Sequence, residues 1–206
     1  MNDIDKEKIP YVTVILIIVN AVIGLLTTSS GIFEAWDKYA MYQGAIQNHE
    51  AYKIFTSAFI HSDSSHIVHN MISLGIFGYT IENEIGRIRF SVLYVLGIIG
   101  SGLMINFCGG ANTIHAGASG AIYAVVVTAI IIQCTKSFQI LYLIFYVVYD
   151  LYYNITSHVS WQGHLGGAIV GAIFAGIYLL IYFKSNHKDR NNKNNRNTPG
   201  MYGTRI

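Results

Sequence analysis

The chain has 206 residues, 52% hydrophobic and 12% charged, with a net charge of +2 and a mean hydropathy of +0.42. Soluble domains carry about 25% charged residues, so this composition argues against an ordinary soluble domain, and no nucleic-acid partner is expected. The two cysteines, Cys108 and Cys134, lie within or beside apolar runs without metal-ligand spacing and make no disulfide framework, so stability has to come from helix packing and lipid.

Charge is absent from Ile9 to Phe33 and from Phe90 to Thr135, and Ser137 to Phe183 holds only Asp150. A helix needs about 20 apolar residues to cross a bilayer, so each of the two longer stretches has room for a pair of spans. The pattern predicts an all-α polytopic membrane protein with six spans, at about 11–29, 64–83, 89–108, 118–135, 137–155 and 162–183. Residues 11–183 form the membrane domain, preceded by a short N-terminal segment, 1–10. The apolar run from Tyr11 to Leu26 is longer than a signal-peptide core and is followed by further spans, so it reads as the first crossing.

Between the first two spans, 30–63 is one long loop with Trp36, Tyr39, Tyr42, Tyr52, Phe55 and Phe59, a density of aromatic residues that suits the membrane interface. The second span opens with His61, His66, His69 and Asn70. His66 and Asn70 share a helical face, polar groups at that depth usually face a cavity, and both can donate to an oxyanion. Metal binding is the weaker reading of the histidines, because acidic and thiolate co-ligands at suitable spacing are scarce; no metal and no cofactor is expected.

Gly117-Ala118-Ser119-Gly120 stands where the chain enters the fourth span. Flanking glycines allow a sharp turn and leave the hydroxyl uncovered, and a helix N-terminus offers unpaired N–H groups. Alone, such a motif is more often a packing feature. His164 changes that reading: it lies in Gly163-His164-Leu165-Gly166-Gly167 at the start of the sixth span, in the same leaflet as Ser119. A serine needs a positioned base to act as a nucleophile. Gly163, Gly167, Gly171 and Ala175 recur every four residues, as do Gly120, Ala124 and Thr128. Small residues so spaced let helices approach closely in lipid, which would carry His164 to Ser119. Tyr123, one turn on from Ser119, can pack against the imidazole. Asp150, among the tyrosines of the fifth span, reads as a solvated interfacial residue rather than a third catalytic group, and the fifth span, with Phe138 and Phe145, is a weak candidate for a lateral gate. The segment 184–206 is basic and Asn-rich and reads as a disordered tail.

Lys and Arg set the orientation, since loops rich in them stay cytoplasmic. Eleven flank the inner ends under this topology and only Lys38 and Lys53 fall on the other side, which puts both termini in the cytoplasm.

With these residues in place, the chain resembles the rhomboid intramembrane proteases in their basic six-span form. The family's His-x3-Asn matches His66 and Asn70, its Gly-x-Ser-Gly matches Gly117 to Gly120, and its His-x2-Gly-x3-Gly matches His164, Gly167 and Gly171. The resemblance implies a Ser119–His164 dyad without a third acid and an oxyanion held by His66, Asn70 and the Ser119 N–H. It also implies a watery cavity and cleavage of single-span membrane proteins. Glu82 and Gly86 match a Glu-x3-Gly pattern read as a structural cap, whereas Tyr52-Lys53 stands where the family often has Trp-Arg. Expected partners are transmembrane substrates and lipid, in the cell membrane. The alternatives are a catalytically inactive relative that binds membrane proteins, and a metal- or solute-handling membrane protein.

Overall fold

In the computed structural model, residues 9–29, 32–110, 113–133 and 161–196 are described. Their helices are α1 (Tyr11–Ser29), α2 (Ile32–Tyr39), α3 (Lys53–Thr56), α4 (Ser64–Ile85), α5 (Arg87–Cys108), α6 (Ser119–Gln133) and α7 (Trp161–Arg196), with two short strands, β1 (Met41–Tyr42) and β2 (Ile114–His115). The helix expected at 137–155, with Asp150 and the proposed gate, lies outside the described residues.

Among the described residues three helical stretches, Tyr11–Thr28, Arg87–Cys108 and Trp161–His187, are long and apolar enough to cross a membrane. Their surfaces run opposite to those of a soluble protein. On α1, Thr13 and Asn20 are buried while Ile15, Ile18 and Leu26 are exposed, as suits a helix with lipid on its outer face. α4, at 22 residues, matches them in length but carries His66, His69, Asn70, Glu82 and Glu84, which lower its hydropathy. Most of α6 is buried, and it packs against α4, α5 and α7. The core runs through Leu74, Phe77 and Ile81 of α4, Phe90 and Leu93 of α5, and Ile122 and Val125 of α6. α7 continues as helix to Arg196, into the segment expected to be disordered; basic side chains near a helix C-terminus favour its continuation.

The long loop between α1 and α4 is fastened by polar contacts. Lys53, 4% exposed, donates to the Asp37 carbonyl at 2.9 Å, pairs with Glu50 at 3.1 Å and lies over the Tyr42 ring. The Tyr52 hydroxyl donates to the Lys38 carbonyl at 3.1 Å. Tyr52-Lys53 therefore anchors the loop, with a lysine where the Trp-Arg pattern has an arginine. On α5, Asn106 accepts from the Ile46 N–H and donates to Gln47. β1 pairs antiparallel with β2, Met41 opposite His115, so the loop is stitched to the segment that leads into α6.

At the other end of the bundle, Glu82 is 3% exposed and reaches the start of α1. Its carboxylate accepts from the N–H groups of Val12 (3.1 Å) and Thr13 (2.7 Å) and from the Thr13 hydroxyl (2.8 Å). A carboxylate there satisfies orphan donors and complements the positive end of the helix. Gly86, at φ 85°, ends α4 and turns the chain straight into α5. The structural cap read from Glu82 is thus a cap on α1 rather than on its own helix. Glu82→Ala should destabilise the protein by on the order of 3 kcal/mol, because three donors, those of Thr13 buried and that of Val12 partly so, lose a charged acceptor, and Glu82→Gln by about half as much. Thermal melting in detergent checks both, and an unshifted midpoint in Glu82→Ala would mean that the carboxylate does not hold α1.

Candidate active site

α6 begins at Ser119, so the serine occupies the first turn, where backbone N–H groups point outward unpaired. Two residues before it, Gly117 has φ 120°, a conformation that side-chain-bearing residues rarely adopt. Its N–H donates to the Ser57 carbonyl at 2.8 Å, which ties the turn to the long loop between α1 and α4. Space excludes a side chain as firmly as backbone does. A Cβ on Gly117 would sit 2.8 Å from His66 Cε1, 2.9 Å from His66 Nε2 and 3.4 Å from Asn70 Nδ2. The imidazole of His66 and the amide of Asn70 therefore lie directly against the backbone that leads to Ser119.

Ser119 Oγ and His164 Nε2 are 2.8 Å apart, a hydrogen bond in which the serine hydroxyl donates when that nitrogen is unprotonated. The glycines of α7 make this approach possible. A Cβ on Gly167 would overlap the Gly120 carbonyl, and one on Gly171 the Ala124 carbonyl, so the two backbones touch with nothing between them. The Thr128 hydroxyl also crosses to the Gly171 carbonyl at 3.1 Å. Gly163, grouped by its spacing with that face, turns its carbonyl toward Gly120 of α6 while a Cβ on it would meet Ser101 and Ile105 of α5. Tyr123 stacks on His164 with ring centroids 4.3 Å apart and planes 12° from parallel, which fixes the plane of the imidazole. All of the residues singled out in the sequence for this chemistry thus converge on one place, from α4, α6, α7 and the turn before α6.

His66, Gly117, Ser119 and His164 line a cavity of about 530 Å³, whereas Asn70, Tyr123, Gly167 and Gly171 stand behind its wall. Other residues of the lining were not anticipated, among them Ser101 of α5, His115 of β2 and Trp36 of α2. Gly97-x3-Ser101 was a legible small-residue signal for α5, since Gly97 packs against Ala121 and Ala124. Nothing local marks His115. It is 7% exposed and contacts the Thr113 hydroxyl at 3.0 Å, and burial holds its pKa below the usual histidine range.

Behind His66, His61 is fully buried and meets it edge-on with ring centroids 5.1 Å apart. Burial, and secondarily the His66 charge, push the His61 pKa down to about 3, so it is neutral at ordinary pH and fills space beside His66. Ser62 Oγ lies 3.1 Å from His66 Nδ1. Asp63 caps α4 by accepting the His66 N–H at 2.9 Å. The Ser65 hydroxyl, with the His66 N–H and the Ser62 hydroxyl adding to it, outweighs burial and holds the Asp63 pKa at about 2. Its charged form is favoured by folding, so this part of the cap is intact above about pH 4 and is lost as pH falls through about 2. Among the described residues no three His, Cys, Asp or Glu side chains are grouped as a metal site.

The Rhomboid domain family matches this chain over residues 48–181, which takes in every residue of the site except Trp36. RHOMBOID-like protein 1 of Arabidopsis thaliana is 33% identical over 78 residues, 38% of this chain and 20% of that protein. Inactive RHOMBOID-like protein 8 of the same plant is 34% identical over 79 residues, 38% of this chain and 22% of its own length. The Bacillus subtilis rhomboid protein YdcA is 29% identical over 91 residues, 42% of this chain and 44% of that protein. The matched stretches thus cover less than half of each of these relatives.

Gly117→Ala meets both a forbidden φ and the His66 ring. It should slow covalent labelling of Ser119 by a fluorophosphonate about 10²-fold, the scale of losing an oxyanion donor. Gly176→Ala, where a Cβ has open space, should label at the unaltered rate. Time-resolved labelling in detergent compares the two, and equal rates would mean that the Gly117 turn does not shape the serine's surroundings.

Proposed function

This chain belongs to the rhomboid family and is a multi-pass integral membrane protein, and from that premise we propose that it is an intramembrane serine endopeptidase, with Ser119 as nucleophile and His164 as base. The observation that carries the reading is the 2.8 Å contact between Ser119 Oγ and His164 Nε2, beneath the stacked ring of Tyr123. A serine hydroxyl is a poor nucleophile until a neighbouring base takes its proton, and the stacked ring keeps that base in plane with the hydroxyl.

In the proposed reaction Ser119 Oγ attacks the scissile carbonyl carbon as its proton passes to His164 Nε2. The carbonyl oxygen gains negative charge, and donors placed beforehand stabilise it most effectively. The Ser119 N–H at the start of α6, the His66 imidazole and the Asn70 amide are the donors. Support for Asn70 comes from its Nδ2, which is buried, lacks a hydrogen-bond partner and lies beside Gly117. His164 then returns the proton to the leaving amine as the peptide bond breaks, and water hydrolyses the acyl-serine by the reverse use of the same base.

The substrates proposed are single-span membrane proteins, cut within or near the outer leaflet. A helix's carbonyls are occupied by its own hydrogen bonds, so a substrate must unwind locally, which favours sequences with weak helix formers. The topology proposed has six spans, the fifth within 134–160, with both termini in the cytoplasm and the protein in the cell membrane. The bias of Lys and Arg toward one side supports that orientation. A non-catalytic binder of membrane proteins is the second reading, favoured by the resemblance to a relative described as inactive; the presence of both Ser119 and His164 weighs against it.

The decisive measurement uses the purified protein in liposomes with a generic single-span substrate. Ser119→Ala and His164→Ala should each reduce kcat/KM by at least about 10³-fold, and Asn70→Ala should reduce kcat by about 10²-fold with little change in KM. Cleavage by Ser119→Ala at the rate of the unaltered protein would remove the proposal.

A further inference from the structure

A second cavity, of about 620 Å³, lies in the outer loop. Its lining includes Trp36, Asp37, Tyr42, Glu50, Lys53 and Thr113. Trp36, Thr113 and Ile114 line both this cavity and the one around Ser119, so the two adjoin at these residues. At that junction the indole Nε1 of Trp36 is buried with no hydrogen-bond partner among the described residues, a donor positioned for an acceptor.

The charges in the lining decide what the second cavity suits. Lys53 is saturated, with Glu50 at 3.1 Å, the Asp37 carbonyl at 2.9 Å and the Tyr42 ring beneath it. Glu50 is matched in turn by Lys53 and by the Tyr42 hydroxyl at 2.5 Å; that hydroxyl is the main reason its pKa lies below the usual glutamate value. Asp37 is exposed, and among the described residues its carboxylate has no ion pair. The charge left over in this lining is therefore negative and belongs to Asp37.

We infer that the second cavity is a substrate subsite for the extramembrane flank of the cleaved polypeptide, taking a lysine or arginine of that flank against Asp37. Trp36 Nε1 donates to a carbonyl of the same extended stretch where it passes between the cavities. The inference rests on the proteolytic reading for the identity of its ligand, since an extended chain whose scissile bond lies at Ser119 has this cavity as a neighbour. The carboxylate is exposed, so its effect is moderate in size and sensitive to salt.

The test measures binding apart from cleavage. Full-length Ser119→Ala protein in nanodiscs is titrated with fluorescent single-span peptides carrying Lys, Ala or Asp at each position of the outer flank in turn. At one or two adjacent positions Lys should bind about threefold to fivefold more tightly than Ala, and Asp more weakly. That preference should shrink at high salt, vanish when Asp37→Asn is added and reverse with Asp37→Lys. Equal binding of Lys and Asp peptides at every position, or a preference that survives Asp37→Lys, overturns the subsite. Cleavage of the same peptides by protein with Ser119 intact is measured in parallel. A charge preference without cleavage upholds the cavity as a binding site for a basic flank and removes the protease reading that made the flank a substrate's, whereas cleavage without charge preference removes the subsite and keeps the protease reading.

Discussion

Everything at the site depends on one contact, the backbone-to-backbone approach of α6 and α7. Gly167 lies on the Gly120 carbonyl and Gly171 on that of Ala124, with no side chain between them. In lipid no hydrophobic force draws helices together, so association rests on close packing and on hydrogen bonds between helices. The contact supplies both, the second through Thr128 and the Gly171 carbonyl. It also sets a distance: a single added methyl at Gly167 would push the helices apart by more than a hydrogen bond tolerates, and His164 would leave Ser119.

The other half of the site is held from outside the bundle. Ser119 belongs to α6, but the turn that presents it is fixed by the long loop between α1 and α4, through the Gly117 N–H on the Ser57 carbonyl and through the pairing of Met41 with His115. That loop is itself held by Lys53, Tyr52 and Asn106. A chain of polar contacts thus runs from the surface of the loop to the backbone beside the serine. Without these contacts the Gly117 turn would lose its fixed place against the His66 and Asn70 side chains of α4.

Polar groups in the bundle are placed where the backbone needs them. Glu82 satisfies the first turn of α1, and Thr128 bridges two helices. Both are buried, and neither belongs to the cavity around Ser119. A polar side chain in an apolar surround is costly unless it meets a partner, and here the partners are backbone groups that would themselves be orphaned. Among the described residues Asn70 Nδ2 and Trp36 Nε1 depart from that rule, as do atoms of Asn20, His61 and Tyr94; Trp36 lines both cavities and Asn70 lies beside the Gly117 turn.

Some of this was legible in the sequence because it is local. Long charge-free runs mark α1, α5 and α7, and the four-residue spacing of Gly167 and Gly171 announces a close helix contact before any partner is known. The pairing of Ser119 with His164 followed from topology, since both begin helices on the same side. What the sequence could not decide is everything that depends on distance between segments far apart in the chain. It carried Glu82 as a cap without saying whose helix start it serves, and it grouped Gly163 with the α6-facing stripe without showing that the residue also packs on α5. It held no sign that the 30–63 loop joins β2, or that a second cavity lies beneath Trp36. Periodicity specifies which face of a helix is small or apolar; only the assembled bundle determines which other face it meets, because that choice belongs to the packing of all the helices at once.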